Sequence, residues 1–220
     1  IMAIKSYRPM TPGTRGMTTQ DMSEITTKKP ISSLISAKKT QTGRNNQGRI
    51  TTRHKGGGVR RNYRHVNFTM AAGVDSVIEH IEYDPNRSAR IARLKDTDGK
   101  YHYIIAAQGM KQGDKISSKE DAAVETGNRL PLRAIPTGST IYAIELQPGR
   151  GSQLVRSAGV GAQLVAKDET YAQVRLPSGE VRMVHLDCMA HIGNVGNVQH
   201  QNVKIGKAGR NRRKGIRPSV

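Results

Sequence analysis

Positive charge and glycine are concentrated in the stretch GRITTRHKGGGVRRNYRH, from Gly48 to His65. It holds six Lys or Arg residues and four Gly residues, without any Asp or Glu. Arg and Lys side chains neutralise phosphates and release their counterions, while glycine lets backbone N–H groups approach an anion without a Cβ in the way. The stretch therefore predicts binding to a polyanion. The residues predicted to make these contacts are Arg44, Arg49, Arg53, His54, Lys55, Gly56, Gly57, Gly58, Arg60, Arg61 and Arg64.

The glycines do not form the motif of a mononucleotide pocket. No Gly-Lys pair followed by Ser or Thr is present here, and no GxGxxG stands between a strand and a helix. A solvated loop whose charges only aid solubility is the alternative interpretation. A second basic run at the other end of the sequence argues against it.

A cluster of His and Cys in the sequence HLDCMAH could suggest metal or thiol chemistry. It places His185, Cys188 and His191 at intervals of three residues. Structural zinc usually takes four ligands, and a thiol nucleophile needs an orienting base and an oxyanion hole, none of which the sequence supplies. Cys188 is more simply interpreted as a small buried residue at a strand end. We therefore predict no metal, no cofactor and no catalytic residue.

The net positive charge of the 220 residues is concentrated at the two ends of the sequence. Residues 1–66 hold 14 Lys or Arg against two acidic residues, residues 67–199 hold 15 of each kind, and residues 200–220 hold seven basic residues and no acid. A neutral body between two cationic arms is predicted, with nucleic acid or an acidic membrane surface as the partner of the net charge of +19. The arms hold few apolar residues, so we expect them to be mobile until a partner orders them.

The neutral body contains two groups of strand-like segments. Runs rich in Val, Ile and Tyr at residues 76–83, 89–94 and 101–107 predict one antiparallel sheet, and runs at 139–146, 161–168, 170–177 and 180–186 predict a second. Short strands at this spacing favour small barrels. Residues 125–140 are predicted to be a linker, and helix is expected only as single turns at Ser117–Ala123 and Met189–Ile192.

RNA fits this pattern better than DNA or a membrane. The sequence shows no helix-turn-helix, zinc finger or basic heptad helix. Irregular Gly- and Arg-rich arms suit the bulges and crossing strands of folded RNA. No run approaches the roughly 18 apolar residues that would cross a bilayer, and a single cysteine indicates a reducing compartment. In the turn sequence YDPNRSA, Asp84 and Pro85 are typical of a link between strands, which leaves Arg87 and Arg90 as further predicted RNA contacts.

Five long segments resemble the bacterial-type second protein of the large ribosomal subunit, in the order found in that family. They are GRNNQGRITTRHKGGGVRRNYR (43–64), IEYDPNRSARIA (81–92), IPTGSTIYAIELQPGRGSQLVRSAGVGAQLVAKD (135–168), LPSGEVRMVHLDCMAHIGNVGN (176–197) and GKAGRNRRKGIRPSV (206–220). The family continues past this last segment into a Gly- and His-rich loop that the printed sequence does not contain, so no residue of that loop is carried over.

The resemblance implies an all-β fold of two small barrels with extended basic arms. Its parts would be an N-terminal extension (1–59), an OB-like barrel (60–125), an SH3-like barrel (126–197) and a C-terminal extension (198–220). It also implies RNA contacts from the segment PGRGSQLVRSAG and from the C-terminal arm. These residues are Arg150, Arg156, Lys207, Arg210, Arg212, Arg213, Lys214 and Arg217.

The implied function is that of a structural constituent of the large ribosomal subunit and not that of an enzyme. Such a protein is a primary binder of ribosomal RNA that supports assembly, subunit association and the RNA around the peptidyl-transferase centre. Its partners would be large-subunit ribosomal RNA, neighbouring ribosomal proteins and small-subunit RNA at the interface, without a membrane. The location would be the cytoplasm, with an organellar ribosome as the alternative. A nucleic-acid-binding regulator or RNA chaperone off the ribosome, and an enzyme with a Cys/His centre, are the competing hypotheses.

Overall fold

The computed structural model describes residues 4–40, 42–70 and 73–219 and consists mainly of strands. The strands are β1 (Ile4–Ser6), β2 (Thr18–Gln20), β3 (Ile35–Ala37), β4 (Asn62–Arg64), β5 (Val74–Glu82), β6 (Ile91–Asp96), β7 (Tyr101–Ile105), β8 (Lys115–Ser118), β9 (Arg129–Pro131), β10 (Thr140–Tyr142), β11 (Ile144–Glu145), β12 (Ser152–Leu154), β13 (Ala162–Lys167), β14 (Tyr171–Arg175), β15 (Val181–His185) and β16 (Met189–Ile192). One α-helix, α1 (Ala208–Arg213), and two 3-10 turns at Ser32–Leu34 and Val198–Asn202 complete the described elements.

The first sheet is antiparallel, with strand order β7-β6-β5-β8. Its strands confirm the first group of predicted segments and add β8. The helical turn predicted at Ser117–Ala123 is wrong, because Ser117 and Ser118 belong to β8 and pair with β5, and residues 119–123 form no helix. Alternating apolar residues point into one core that includes the buried side chains of Ile78, Leu94, Ile104 and Ile116. The loop from Tyr83 to Arg90 joins β5 to β6 of this sheet.

The second sheet has strand order β15-β14-β13-β10-β16-β9. Ile141, Leu164, Val174 and Cys188 are all buried in its core. The predicted strand at residues 139–146 is interrupted at Ala143, whose φ of +48° breaks it into β10 and β11. β11 then pairs with β12 instead of continuing the sheet.

Two predictions for the second half of the chain are wrong. The segment 125–140 is not a linker, because it contains β9 and buries Leu130 and Ile135. Pro131 is tolerated there since β9 is an edge strand, where a missing backbone N–H leaves no ladder bond unmade. Residues Met189–Ile192 are not a helical turn but strand β16, which lies between β10 and β9.

The two sheets share part of their packing. Ala107 and Val195 form a bridge between them, and the hydroxyl of Tyr142 donates to the carbonyl oxygen of Ile105 at 3.2 Å. Tyr142 and Val195 belong to the same buried cluster as the core of the first sheet. The two sheets therefore hold their loops in a defined relative position.

The arms are held by backbone hydrogen bonds rather than by a core. None of the described residues of 4–69 is buried. Within this arm β1 pairs with β2 and β3 pairs with β4, and Thr18 donates its N–H to the carbonyl oxygen of Lys204 in the other arm at 3.0 Å. On the first sheet, Thr26 donates to Ile81 and Ile31 donates to the hydroxyl of Tyr103. That the arms are mobile without a partner stays a prediction.

In the described ranges, which leave out residues 1–3, 41, 71–72 and 220, we find no helix with the length and apolar character needed to cross a membrane.

Candidate nucleic-acid interface

The N-terminal and C-terminal arms meet in a short antiparallel contact, which we call the arm junction (residues 54–59 and 213–218). Gly56 donates its N–H to Gly215 at 2.7 Å, and Arg217 donates to His54 at 2.9 Å. His54 adds a side-chain contact, since its Nδ1 lies 2.7 Å from the carbonyl oxygen of Pro218. The junction thus joins the two most basic segments of the chain in one place.

Two glycines of the arm junction stand where no side chain would fit. Gly58 has φ +65°, and a Cβ built on it would lie 2.8 Å from the carbonyl oxygen of Arg213. Gly215 has φ +87°, and its Cβ would lie 2.7 Å from the carbonyl oxygen of Gly56. L-residues rarely adopt this conformation, and neither Cβ would fit. These glycines therefore allow the two arms to pass close to each other, so a role in fitting the backbone among phosphates is not needed to explain them.

Helix α1 presents the cations of the C-terminal arm on two sides. Arg210 turns inward and donates from Nη1 to the carbonyl oxygen of Thr18 at 2.9 Å. Arg212, Arg213 and Lys214 remain exposed. Gly215 ends the helix in the left-handed conformation, as C-terminal glycines commonly do.

An ordered turn presents the cations of residues 43–53. The side-chain oxygen of Asn45 accepts from the backbone N–H groups of Gln47 at 3.0 Å and Arg49 at 2.9 Å. Such Asx turns replace backbone hydrogen bonds with side-chain ones and fix the direction of the chain. Arg44, Arg49 and Arg53 all remain exposed around this turn.

Three neighbouring clefts surround the arm junction. Their volumes are about 600, 460 and 470 Å³, and the first and second share Arg61 and Lys214, while the second and third share Lys55. Among the described residues that line them, none is Asp or Glu. The predicted contact residues that the clefts bring together are Arg44, Arg53, His54, Lys55, Gly56, Gly57, Arg60, Arg61, Arg64, Arg87, Arg213, Lys214 and Arg217.

The positive charge of this surface is almost uncompensated within the protein. In the described part of the chain, Arg87 is the only predicted contact residue that forms an ion pair, with Asp84 at 2.6 Å. Clefts lined by charge of one sign concentrate the electrostatic potential and attract the opposite charge. The surface is therefore suited to a phosphate backbone.

Phe68 lies close to two cations from separate loops, one after β5 and one after β12. The guanidinium carbon of Arg87 lies 5.7 Å from the centre of its ring, and that of Arg156 lies 4.8 Å away. Both distances are within the range of a cation–π interaction. The sequence contains only one Phe, and its role was not anticipated, because nothing in the spacing of residues indicates which cation an aromatic ring will meet.

Arg150 lies on a loop that a buried ion pair holds in place. Glu145 is fully buried and bonded to Arg129 at 2.7 Å, and its two carboxylate oxygens also accept from the backbone N–H groups of Gly149 and Gly151. Arg150 itself is exposed, with Nη1 donating to the side-chain oxygen of Gln147 at 2.9 Å.

The other predicted contact residues do not line the three clefts. They are Arg49, Gly58, Arg90, Arg150, Arg156, Lys207, Arg210 and Arg212.

Arg90 does not fit its prediction as a surface contact. Its side chain is only 2% exposed, and Nη2 donates to the carbonyl oxygen of Asp21 at 3.2 Å. Its guanidinium also lies 5.6 Å from the ring centre of Tyr83. The N-terminal arm covers Arg90, so it cannot reach an RNA backbone in this conformation.

Three cleft residues were missed by the sequence predictions. Lys38 and Lys39 line the second cleft, and His200 lines the first. The lysine pair stands in a basic segment and could have been included on charge alone. His200 precedes the C-terminal basic run and carries no comparable signal.

The His and Cys cluster does not assemble into a reactive site. His191 is buried, its Nδ1 lies 2.9 Å from the carbonyl oxygen of Gly127, and burial lowers its pKa to about 4. Burial raises the pKa of the Cys188 thiol to about 11, which keeps it protonated at neutral pH. Over residues 4–40, 42–70 and 73–219, no three His, Cys, Asp or Glu side chains are grouped so that they could hold a metal ion.

Two protein-family models match the chain. One is described as Ribosomal Proteins L2, RNA binding N-terminal domain, and matches residues 31–118. The other is described as Ribosomal Proteins L2, C-terminal domain, and matches residues 125–220, so together they cover well over half of the chain. The chain belongs to the ribosomal protein L2 family. As a member of the L2 family, it is a structural, RNA-binding protein of the large ribosomal subunit.

The L2 family also accounts for the two sheets. The first sheet lies in the OB-like N-terminal domain of L2, and the second lies in its SH3-like C-terminal domain. The all-β fold class predicted from the sequence is therefore confirmed.

Proposed function

We propose that this member of the L2 family is a primary binder of ribosomal RNA whose arms neutralise phosphates inside the large subunit. The observation that supports this role is the arm junction, where both basic arms line three adjoining clefts that contain no acid. Binding of RNA there would support assembly of the subunit, its association with the small subunit and the structure of RNA around the peptidyl-transferase centre.

We assign four parts to this function. They are an N-terminal extension (1–59), an OB-like RNA-binding barrel (60–125), an SH3-like barrel (126–197) and a C-terminal extension (198–220). The division between the barrels is supported by the interval between the two family matches, and by the place of β8 and β9 in different sheets. The barrels would dock on RNA surfaces, while the extensions reach between RNA strands.

The partners follow from the same assignment. We expect large-subunit ribosomal RNA at the arm junction, neighbouring ribosomal proteins beside the barrels, and small-subunit RNA at the subunit interface. The cytoplasm is the proposed location, supported by the bacterial-type resemblance and by the single buried cysteine. We assign no enzymatic activity and no cofactor, because the function rests on positioning and charge.

A competition experiment over a range of salt concentrations tests this function. The purified chain is bound to large-subunit ribosomal RNA in the presence of excess transfer RNA or duplex DNA. We expect binding to survive both competitors, since the clefts fit a folded RNA and not merely a charge density. If both competitors displace the ribosomal RNA equally, the arms bind as generic polycations, and a role off the ribosome is favoured.

A charge-matched pair of triple variants locates the binding surface. Replacing Arg60, Arg213 and Lys214 by Gln should make the slope of log K against log salt less steep by about 2–3, if each side chain meets one phosphate at about 0.7–0.9 per contact. The control replaces three exposed cations outside the clefts, Lys100, Lys115 and Arg175, by Gln. A similar change of slope in both variants would contradict the arm junction as the site.

A further inference from the structure

A separate cleft of about 420 Å³ lies where the N-terminal arm, the first sheet and the segment after β16 meet. Its walls combine apolar groups with amides and three charged side chains, those of Glu24, Arg90 and Lys111. The lining residues used below are Glu24, Ile81, Arg90, Ala106, Gln108 and Met110. Unlike the clefts of the arm junction, it contains an acid, so it is suited to a different kind of ligand.

Arg90 is the unusual feature of this cleft. The side chain is 2% exposed, and the bond to the carbonyl oxygen of Asp21 is its only hydrogen bond in the described part of the chain. Its Nε is buried without a partner, and no described carboxylate lies within the 4.0 Å of an ion pair. A buried cation with so few partners is costly, and buried polar groups are almost always satisfied. Arg90 therefore needs an acceptor that the described protein residues do not supply.

Glu24 adds a hydrogen-bond acceptor beside the two cations Arg90 and Lys111, and a phosphate group would leave this acceptor without a donor. It lines the same cleft, where loss of solvent raises the pKa of its carboxyl and the charge of Arg90 opposes that rise. A carboxylate at this place would repel an anion but would accept hydrogen bonds from a neutral ligand. The side chains of Ile81, Ala106 and Met110 add apolar surface, which suits a flat ring better than a phosphate group.

We propose that this cleft binds a guanine base turned out of an RNA strand. Guanine offers the acceptors O6 and N7, which Arg commonly recognises. It also carries N–H donors at N1 and N2, from which a carboxylate can accept hydrogen bonds. Arg90 donates to the acceptors, Glu24 accepts from the donors, and Gln108 completes the polar rim. Single-stranded bases of folded RNA are recognised in this way through their exposed edges. Because the base belongs to an RNA strand, this site rests on the proposed function.

Nucleoside binding tests the site directly, because nucleosides carry no phosphate that the basic arms could attract. Calorimetric titration of the full chain should show guanosine binding roughly tenfold more tightly than adenosine, cytidine or uridine, which corresponds to one good bidentate contact. Inosine lacks the N2 amine and should fall between guanosine and adenosine. Equal binding of all nucleosides, or no binding of guanosine, would overturn the site.

Two variants separate the contacts from the fold. Glu24→Gln should reduce the preference for guanosine over inosine severalfold, since Glu24 is exposed and its replacement leaves the core intact. Glu120→Gln removes the same charge from an exposed residue outside the cleft and should leave the preference unchanged. Arg90→Gln should abolish guanosine binding. An unchanged preference in Glu24→Gln would contradict the proposed contact even if Arg90→Gln fails to fold.

An RNA experiment distinguishes a base within a strand from a free nucleotide. Hairpins with a single bulged G, A, C or U are compared for binding to the chain, with guanosine as competitor. Preference for the G bulge, lost on addition of guanosine, supports a strand base in the cleft. Guanosine binding without any preference among bulges would assign the cleft to a free nucleotide and overturn the strand base. The proposed function is judged separately, by binding of the chain to large-subunit ribosomal RNA. If that binding is observed, the proposed function stands even when the guanine site fails; if that binding is absent, the proposed function is contradicted whatever the bulge experiment shows.

Discussion

Val59 donates its backbone N–H to the carbonyl oxygen of Arg213 at 2.9 Å, which joins the two basic arms at the point where their cations are densest. The bond lies beside Gly58, whose φ of +65° directs the chain toward the C-terminal arm. The proposed RNA site is therefore built by a contact between the arms, and its affinity for RNA should depend on that contact.

Replacement of Gly58 by Ala should weaken the arm junction. The left-handed conformation costs an L-residue about 1–2 kcal/mol, and the added Cβ would approach backbone atoms of the C-terminal arm. We expect faster hydrogen exchange at the Val59 amide and weaker RNA binding. Gly57→Ala is the matched control, because its Cβ would meet only the Cγ2 of Thr42 at 3.6 Å. Equal effects of the two substitutions would contradict a junction that depends on close packing.

The buried pair of Arg129 and Glu145 should be important for stability. Glu145 is 0% exposed and Arg129 is 3% exposed, so Glu145→Gln would leave an uncompensated buried cation. We expect a loss of about 3 kcal/mol in the free energy of unfolding, measured by urea denaturation. Glu180→Gln, which removes an exposed partner of Arg182 at 3.4 Å, should cost no more than about 1 kcal/mol. A loss of no more than about 1 kcal/mol for Glu145→Gln as well would show that the buried pair is not needed for stability.

Phe68 should act by positioning cations. Phe68→Leu should weaken binding to ribosomal RNA severalfold, as expected for cation–π interactions of about 0.5–2 kcal/mol. The slope of affinity against salt should remain the same, because the charges of Arg87 and Arg156 are retained. Phe68→Tyr keeps the ring and should retain the affinity. A less steep slope in Phe68→Leu would contradict this role, because it would indicate that the two arginines no longer contact phosphates.

His191 should make the fold sensitive to mild acid. Its pKa of about 4 in the folded chain lies below the ordinary value of 6.5, so the unfolded chain binds more protons between these values. The free energy of unfolding should therefore fall as the pH is lowered from 6.5 to about 4, by up to about 1.4 kcal/mol per pH unit from this group. His191→Gln should reduce that slope in urea titrations at several pH values. An unchanged slope would place the dependence on other groups, such as His102, whose pKa burial also lowers.

The parts of the fold that the sequence predicts are those with a local signal. The segment 76–83 is rich in Val, Ile and Tyr and is followed by turn residues, and most of it lies in β5, as this local composition indicates. Residues 189–192 are too short to show a period, and only the neighbouring strands β10 and β9 make them a strand. Pro131 suggests a linker unless its place on an edge strand is known.

The cations of the basic surface also divide into those that the sequence places correctly and those whose position depends on the fold. The charge of Arg53 and Lys55 is evident in the sequence, and both line the clefts at the arm junction. Arg90 has the same charge but lies beneath the N-terminal arm, which depends on contacts distant in sequence such as that with Asp21. Local composition identifies the cations, whereas the path of the chain determines which of them face outward.

The arm junction also has a consequence for the order of synthesis. Translation proceeds from the N-terminus, so residues 54–59 are made before both barrels, while residues 213–218 are made after them. A nascent chain that has completed only its first barrel therefore has one half of the junction and none of its C-terminal cations. The complete surface proposed to bind phosphates can form only after the second barrel has been synthesised, so the proposal implies that firm attachment to RNA waits until the folded body exists.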